Sequence, residues 1–159
     1  MNNKWHIYLL SSCVVLLCLM IGLGIRGTMS FGEQREQREQ VVKRRLVAIR
    51  AAEDAYRTRH GAYTADFGKL IHEGLLADST AEVPFSGGKR FSLSVSSDVS
   101  RSGKSVPLME CSATYADYLS GLDADAVAQL TSDAEAAGRF PGLKVGGLSA
   151  ANAGAGNWE

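Results

Sequence analysis

The stretch 56–71, Y-R-T-R-H-G-A-Y-T-A-D-F-G-K-L-I, decides how the chain folds, because two tyrosines bracket a glycine between a charged run and an apolar one. Gly61 suits the left-handed conformation that follows a helix end, and His60 suits the negative end of the helix dipole. Tyr63 can then fold back onto the helix that has just ended, as Tyr56 does from one turn earlier. We therefore predict a structural corner, formed by Tyr56, Gly61 and Tyr63, that docks a short second helix on a long first one.

The helix that ends at this corner is predicted from its apolar spacing. Its buried stripe recurs at steps of three and four residues, the period of an amphipathic helix: Val42, Leu46, Ile49, Ala52 and Tyr56. The charged residues off this stripe are interpreted as a solvated face: Arg44, Arg45, Arg50, Asp54 and Arg57. Upstream, G-T-M-S-F-G predicts a short break with Ser30 as a helix N-cap, and E-Q-R-E-Q-R-E-Q (33–40) predicts a charged helical stalk without a buried face.

The second half of the chain predicts a small antiparallel sheet. K-R-F-S-L-S-V-S-S alternates apolar and polar residues, a turn follows at 100–104, and S-V-P-L-M-E-C-S-A predicts a second strand. Pro107 indicates that this second strand is at an edge or bulged. Asp123 is a predicted N-cap of a later helix, and L-K-V (143–145) is a candidate third strand. The tail is either disordered to its end or pinned by Trp158.

A membrane anchor is predicted near the amino terminus. Residues 7–25 carry no charge, and as a helix they would span roughly 28 Å, close to the about 30 Å of a bilayer's hydrocarbon core. A cleaved signal peptide would have a shorter apolar core, and a lipoprotein signal ending at Cys13 would leave a long apolar stretch in the mature chain. Within the anchor we expect a helix–helix interface of small residues: Ser11, Ser12, Gly22 and Gly24.

The predicted fold class is α+β, with an N-terminal transmembrane helix, a long amphipathic helix, and a small antiparallel sheet with one or two further helices. The predicted domains are an anchor (1–26), a charged stalk (27–41), a periplasmic α+β domain (42–148) and a small-residue tail (149–159). The basic residues that follow the anchor would favour a cytoplasmic domain by the positive-inside rule. Most of them belong to a helix rather than a short loop, so a periplasmic domain is the preferred interpretation.

The composition and motifs predict no chemistry. The formal net charge is zero, so no nucleic-acid partner is expected. His6, His60 and His72 are scattered, and Cys111 has no histidine near it in the sequence, so we predict no catalytic, cofactor or metal site. An enzyme would require Cys111 or His60 to lie in a polar cleft.

The N-terminal half resembles the pilins and pseudopilins. The resemblance covers residues 7–76, where an apolar helix runs into an amphipathic one and then into A-x-x-x-Y-x-x-x-x-G-x-Y, followed by Leu70, Gly74 and Leu76. The glycine cleavage site and the early glutamate of type IV prepilins are absent here. The resemblance implies a scaffold or assembly subunit that works through protein contacts.

The whole soluble part of the chain is similar to a family of small single-pass envelope proteins from Bacteroidetes. The similar segments include V-V-K-R-R-L-V-A-I-R-A-A-E-D-A-Y, P-F-S-G-G-K-R-F, Y-A-D-Y-L-S-G-L-D and F-P-G-L-K-V-G-G-L. We therefore expect a non-catalytic inner-membrane protein whose partners are lipid and other envelope proteins, including copies of itself. The alternative function is an accessory subunit of an ExbB/ExbD-TonB-type proton-driven transport complex, although the apolar helix lacks a carboxylate to carry protons.

Overall fold

The computed structural model describes residues 3–99, 105–149 and 154–159, with all their side chains except those of residues 3–7 and 21–30. The chain divides into two compact units, Met1–Glu36 and Gln37–Glu159. The helices and strands are α1 (Asn3–His60), α2 (Phe67–His72), α3 (Asp78–Ala81), β1 (Ser92–Val99), β2 (Ser105–Thr114), α4 (Tyr115–Tyr118), α5 (Ala124–Ala136) and β3 (Gly142–Gly146). The prediction of an α+β protein with a small antiparallel sheet is confirmed.

The predicted break at residues 27–32 is wrong, because α1 continues through it without interruption. A glycine inside a helix costs about 1 kcal/mol relative to alanine, and this stretch contains no proline that would remove a helix hydrogen bond. Strong helix formers follow at 33–40, and adding one residue to an existing helix is far easier than starting a new one. The two glycines of the stretch are therefore tolerated.

The predicted apolar stripe of α1 forms one side of the core. Val42, Leu46 and Ile49 are completely buried and Ala52 is 4% exposed, while Tyr56 packs against the same core from its edge. Glu53, next to Ala52 in the chain, is also completely buried. The buried face of α1 is therefore wider than its apolar residues alone indicate.

The stretch after α1 turns as its residues predict. Gly61 has a φ of 79° and donates its N–H to the carbonyl of Arg57. Asp66 caps α2 by accepting the N–H of Gly68 at 2.8 Å. Gly74, with a φ of 68°, then ends this helical segment. The buried residues Phe67 and Leu70 place α2 on the core.

The sheet is antiparallel in the order β1-β2-β3. Cys111 in the middle of β2 pairs with Leu93 on one side and Val145 on the other. The prediction that Pro107 puts β2 at an edge is wrong for the strand as a whole. It holds locally, because β3 pairs only with Glu110–Thr114, so Pro107 has a neighbour on the β1 side alone. A proline cannot donate to a ladder, and it is tolerated where no third strand needs its N–H. The predicted turn at 100–104 lies outside the described residues.

Helix α5 and the end of the chain complete the fold. Asp123 caps α5 by accepting the N–H groups of Asp125 and Ala126, as predicted. Residues 154–159 lie along the outer edge of β3, where Gly156 pairs with Val145. Trp158 packs against the core, which favours the pinned alternative for this part of the tail.

Within the described part of the chain, no helix combines the length and the apolar character needed to cross a membrane. The anchor over residues 1–26 therefore stays a prediction.

Candidate interaction surfaces

Most of the exposed large apolar side chains among the described residues lie in the first part of α1. Every side chain from 8 to 20 is exposed, and the large apolar ones are between 54% and 72% accessible. Val14, Val15, Leu16 and Leu17 are consecutive, so they point in different directions around the helix. A helix that is apolar on all sides requires an apolar environment on all sides. We call residues 8–20 the apolar helix.

The predicted small-residue interface lies only partly within the described side chains. Ser11 and Ser12 are exposed on the apolar helix, and the Ser12 hydroxyl donates to the carbonyl of Leu9 at 3.3 Å. This bond satisfies the hydroxyl within its own helix. Gly22 and Gly24 are in α1 but fall in the stretch 21–30, outside the described side chains.

Tyr56, Gly61 and Tyr63 lie near the end of α1 and make separate contacts there. The ring of Tyr56 lies against the ring of His60, with centroids 4.2 Å apart. The Tyr63 hydroxyl donates to Oδ1 of Asp54 at 3.1 Å, and the Arg57 guanidinium lies 5.0 Å from the Tyr63 ring centroid. Tyr63 therefore lies back along the last turns of α1. We call residues 61–66, which connect α1 to α2, the corner segment.

Glu53 fastens the corner segment from inside the protein. Its Oε2 accepts the backbone N–H of Thr64 at 3.0 Å, and its Oε1 is buried without a hydrogen-bond partner among the described residues. Burial raises the pKa of the Glu53 carboxyl to about 7, the Thr64 bond opposes this rise, and the nearby Asp54 adds to it. The sequence offered no local signal for this burial, because Glu53 sits between the predicted stripe and the charged face.

Three arginines that were predicted to lie on solvated surfaces instead bind loops of the folded unit. Arg38 donates to the carbonyls of Tyr118 and Ser120 at 3.1 and 2.8 Å. Arg45 donates to the carbonyls of Ser79 and Glu82 at 2.7 and 2.5 Å. These carbonyls belong to the ends of α4 and α3, where backbone acceptors lack partners within the helix.

The third arginine holds the end of the chain. Arg50 donates to the carbonyl of Gly154 at 3.0 Å and pairs with the Glu159 carboxylate at 3.1 Å. Arg38, Arg45 and Arg50 thus attach three separate segments to α1, and we call them the clamp arginines. Arg38 also corrects the predicted stalk, because it lies within residues 33–40 yet packs on the folded unit, 4.6 Å from the ring centroid of Phe85.

Two surface grooves accompany these contacts, each of about 480 Å³. The first lies between α4 and α5 and has an apolar lining that includes Leu119, Val127 and Ala128. The second, which we call the corner groove, lies between the corner segment and the ends of β1 and β2, with Tyr63, Val95 and Pro107 in its wall. Neither groove contains a cluster of catalytic side chains.

Cys111 and His60 line neither of these two grooves. Cys111 is completely buried in the core, where burial and the nearby Glu53 raise the pKa of its thiol. His60 is half-exposed and its Nε2 lies 2.8 Å from Oε1 of Glu73 at the corner. Among the described residues, no group of three or more His, Cys, Asp or Glu side chains could hold a metal ion.

Comparisons with protein-family models, with curated proteins and with solved structures find no match to this chain.

Proposed function

We propose that the protein is a non-catalytic, membrane-anchored envelope protein that acts through protein contacts as a pilin-like scaffold or assembly subunit. The observation that carries the proposal is the apolar helix, whose exposed leucines, valines and methionine surround it on every side. The sequence continues as I-G-L-G-I to residue 25, so the uncharged stretch is longer than the apolar helix itself. A bilayer, or the packed helices of other copies within one, supplies the environment that such a surface requires.

The folded unit supports a role in contacts rather than catalysis. α1 and the three-stranded sheet contribute residues to one hydrophobic core. The clamp arginines tie α3, α4 and the chain end to α1. These bonds suit a rigid folded unit that acts through protein contacts. We place this unit in the periplasm, with the apolar helix in the inner membrane.

The anchor is tested by washing membranes that contain the full chain with alkaline carbonate. The wild-type chain stays in the membrane pellet, because the apolar helix is inserted rather than adsorbed. A Val15→Arg, Leu16→Arg double variant is released, since each arginine at a helix centre costs about 2.5–3.5 kcal/mol of insertion. Val47→Arg, which places the same charge at a 40% exposed position of α1 in the folded unit, is the matched control and stays in the pellet. Release of the wild-type chain by carbonate would refute the anchor.

Self-association is tested with the chain's own thiols. Cys13 and Cys18 are both exposed on the apolar helix, so oxidation in native membranes links neighbouring helices that lie side by side. Disulfide-linked dimers of this chain support the scaffold. Co-purification with large multi-span channel subunits, without linked dimers, would instead favour the accessory-subunit alternative.

A further inference from the structure

Glu53, the carboxyl group beneath the corner segment, is paired with no basic side chain among the described residues. Glu53 is completely buried, and Thr64, whose N–H it accepts, is only 6% exposed. In the described part of the protein, Oε1 has no hydrogen-bond partner and no salt bridge includes Glu53. An ionised carboxylate in this position would leave one buried oxygen without a donor, which is costly.

The groups that face Glu53 make the charge still less favourable. From its own helix, Asp54 adds a second carboxylate, and Arg57 is directed to Asp54 and to the Tyr63 ring instead. From the corner segment, the Tyr63 hydroxyl donates to Asp54, and burial, Asp54 and Glu53 raise its pKa. From β2 it faces the Cys111 thiol, which burial keeps neutral and which Glu110 also influences. The charged form of Glu53 gains only the single N–H of Thr64.

Opening the corner segment would relieve this cost. The segment is attached to α1 by the Glu53–Thr64 bond, the Tyr63–Asp54 bond at 3.1 Å and the turn at Gly61. Release of residues 61–66 would let water reach both oxygens of the carboxyl. We propose that Glu53 is a proton-controlled latch, which holds the corner segment against α1 while its carboxyl is protonated and releases the segment when the carboxyl ionises.

The direction of the pH dependence of closure follows from the pKa of Glu53 in the open and in the closed segment. In the open segment the Glu53 pKa has its ordinary value near 4.5, whereas in the closed segment it is about 7. Below pH 4.5 both forms are protonated and closure is strongest. As the pH rises, the open form ionises first and closure weakens, until above pH 7 both forms are ionised and the loss levels off. The opening constant rises on the order of 100-fold between pH 5 and pH 8.

Opening of the latch would also alter the corner groove. Tyr63, Gly61 and Ala62 of the corner segment line the corner groove opposite Val95 and Pro107. Release of the segment would remove this wall of the groove. Glu53 and the corner segment both belong to the unit Gln37–Glu159, so the latch does not depend on the anchor.

The test is amide hydrogen exchange of the full chain in neutral detergent between pH 5 and pH 8. The protection of the Thr64 amide is measured against an unstructured peptide at each pH, so that intrinsic exchange cancels. In the wild-type chain this protection falls on the order of 100-fold across the range. In Glu53→Gln, whose amide oxygen still accepts the Thr64 N–H but does not titrate, the protection stays constant.

Two controls distinguish the Glu53 latch from a pH dependence caused by Asp54 and from one caused by a wider opening of the fold. Asp54→Asn removes the neighbouring carboxylate and leaves Glu53, so the pH dependence persists. The amides of β2 keep their protection throughout, because the opening is local. Equal pH dependence in the wild-type chain and in Glu53→Gln would overturn the proposal, and so would a parallel loss of protection in β2.

A measurement on the wild-type chain covers the case in which Glu53→Gln does not fold. The carboxyl carbon resonance of Glu53 is followed by NMR through the same pH range. A titration midpoint near pH 7, where the loss of Thr64 protection levels off, supports the latch. A midpoint near the ordinary glutamate value of 4.5 would overturn it.

Discussion

At the scale of single residues, two glycines adopt nearly the same backbone angle in different surroundings. Gly146 at the end of β3 has a φ of 77°, and Gly61 after α1 has a φ of 79°. A Cβ on Gly146 would overlap the carbonyl oxygen of Met109, whereas a Cβ on Gly61 would meet no atom within 4 Å. Substituting each glycine in turn therefore distinguishes the stability lost to a left-handed backbone from the stability lost to steric overlap.

We expect Gly146→Ala to destabilise the folded unit by about 2–4 kcal/mol, because strain and overlap add. Gly61→Ala, the matched control, costs about 1 kcal/mol from the backbone conformation alone. Denaturant unfolding of both variants measures the difference. Equal losses of stability would contradict the close approach of β3 to β2 at Met109.

At the scale of elements, two of the clamp arginines stabilise very short helices. α3 has four residues and no side-chain cap at its N-terminus, so its own hydrogen bonds give it little stability. Arg45 supplies charge-assisted bonds to the carbonyls of Ser79 and Glu82 at its other end. Arg38 binds the end of α4 in the same way.

We expect Arg45→Ala to cost about 1–2 kcal/mol of unfolding free energy, because two hydrogen bonds to a charged group are lost. Arg44→Ala changes the helix propensity of α1 equally but removes only a 3.3 Å bond to Gln40 within the helix itself, so it costs about 0.5 kcal/mol or less. Hydrogen exchange of the α3 amides accompanies the unfolding measurement. A similar cost for the two variants would show that the Arg45 clamp does not stabilise the fold.

Local signals made part of this fold predictable. The stripe from Val42 to Ala52, the glycine at 61 and the cap at Asp123 depend on neighbours a few residues away, and all three lie where the pattern indicates. The continuity of α1 through residues 27–32 was missed, because helix cooperativity outweighed weak local propensities.

The candidate site was less predictable than the fold, because its contacts join residues far apart in sequence. Arg38 meets Ser120, and Arg50 meets Gly154, across chain separations that periodicity does not report. Glu53 is adjacent to charged residues in sequence and becomes buried only when β2 brings Cys111 against α1.

At the scale of the whole molecule, the two units present contrasting surfaces. Met1–Glu36 contains the apolar helix, whose described side chains are all exposed. Gln37–Glu159 buries its large apolar residues around Leu46, Leu70 and Tyr118 and closes the outer edge of β3 with its own C-terminal residues. This contrast is the physical basis for proposing one unit in lipid and the other in an aqueous compartment.

The central proposal is that the protein is anchored in the inner membrane and that its folded unit is periplasmic. The most direct measurement places one cysteine at exposed Ser96 (Ser96→Cys) in a chain whose Cys13, Cys18 and Cys111 are replaced by alanine. Spheroplasts are treated with a membrane-impermeant maleimide, and detergent-lysed cells give the full labelling. We predict that Ser96→Cys is labelled before lysis, in a protein that remains in the membrane fraction. Labelling only after lysis would place the folded unit in the cytoplasm and contradict the account.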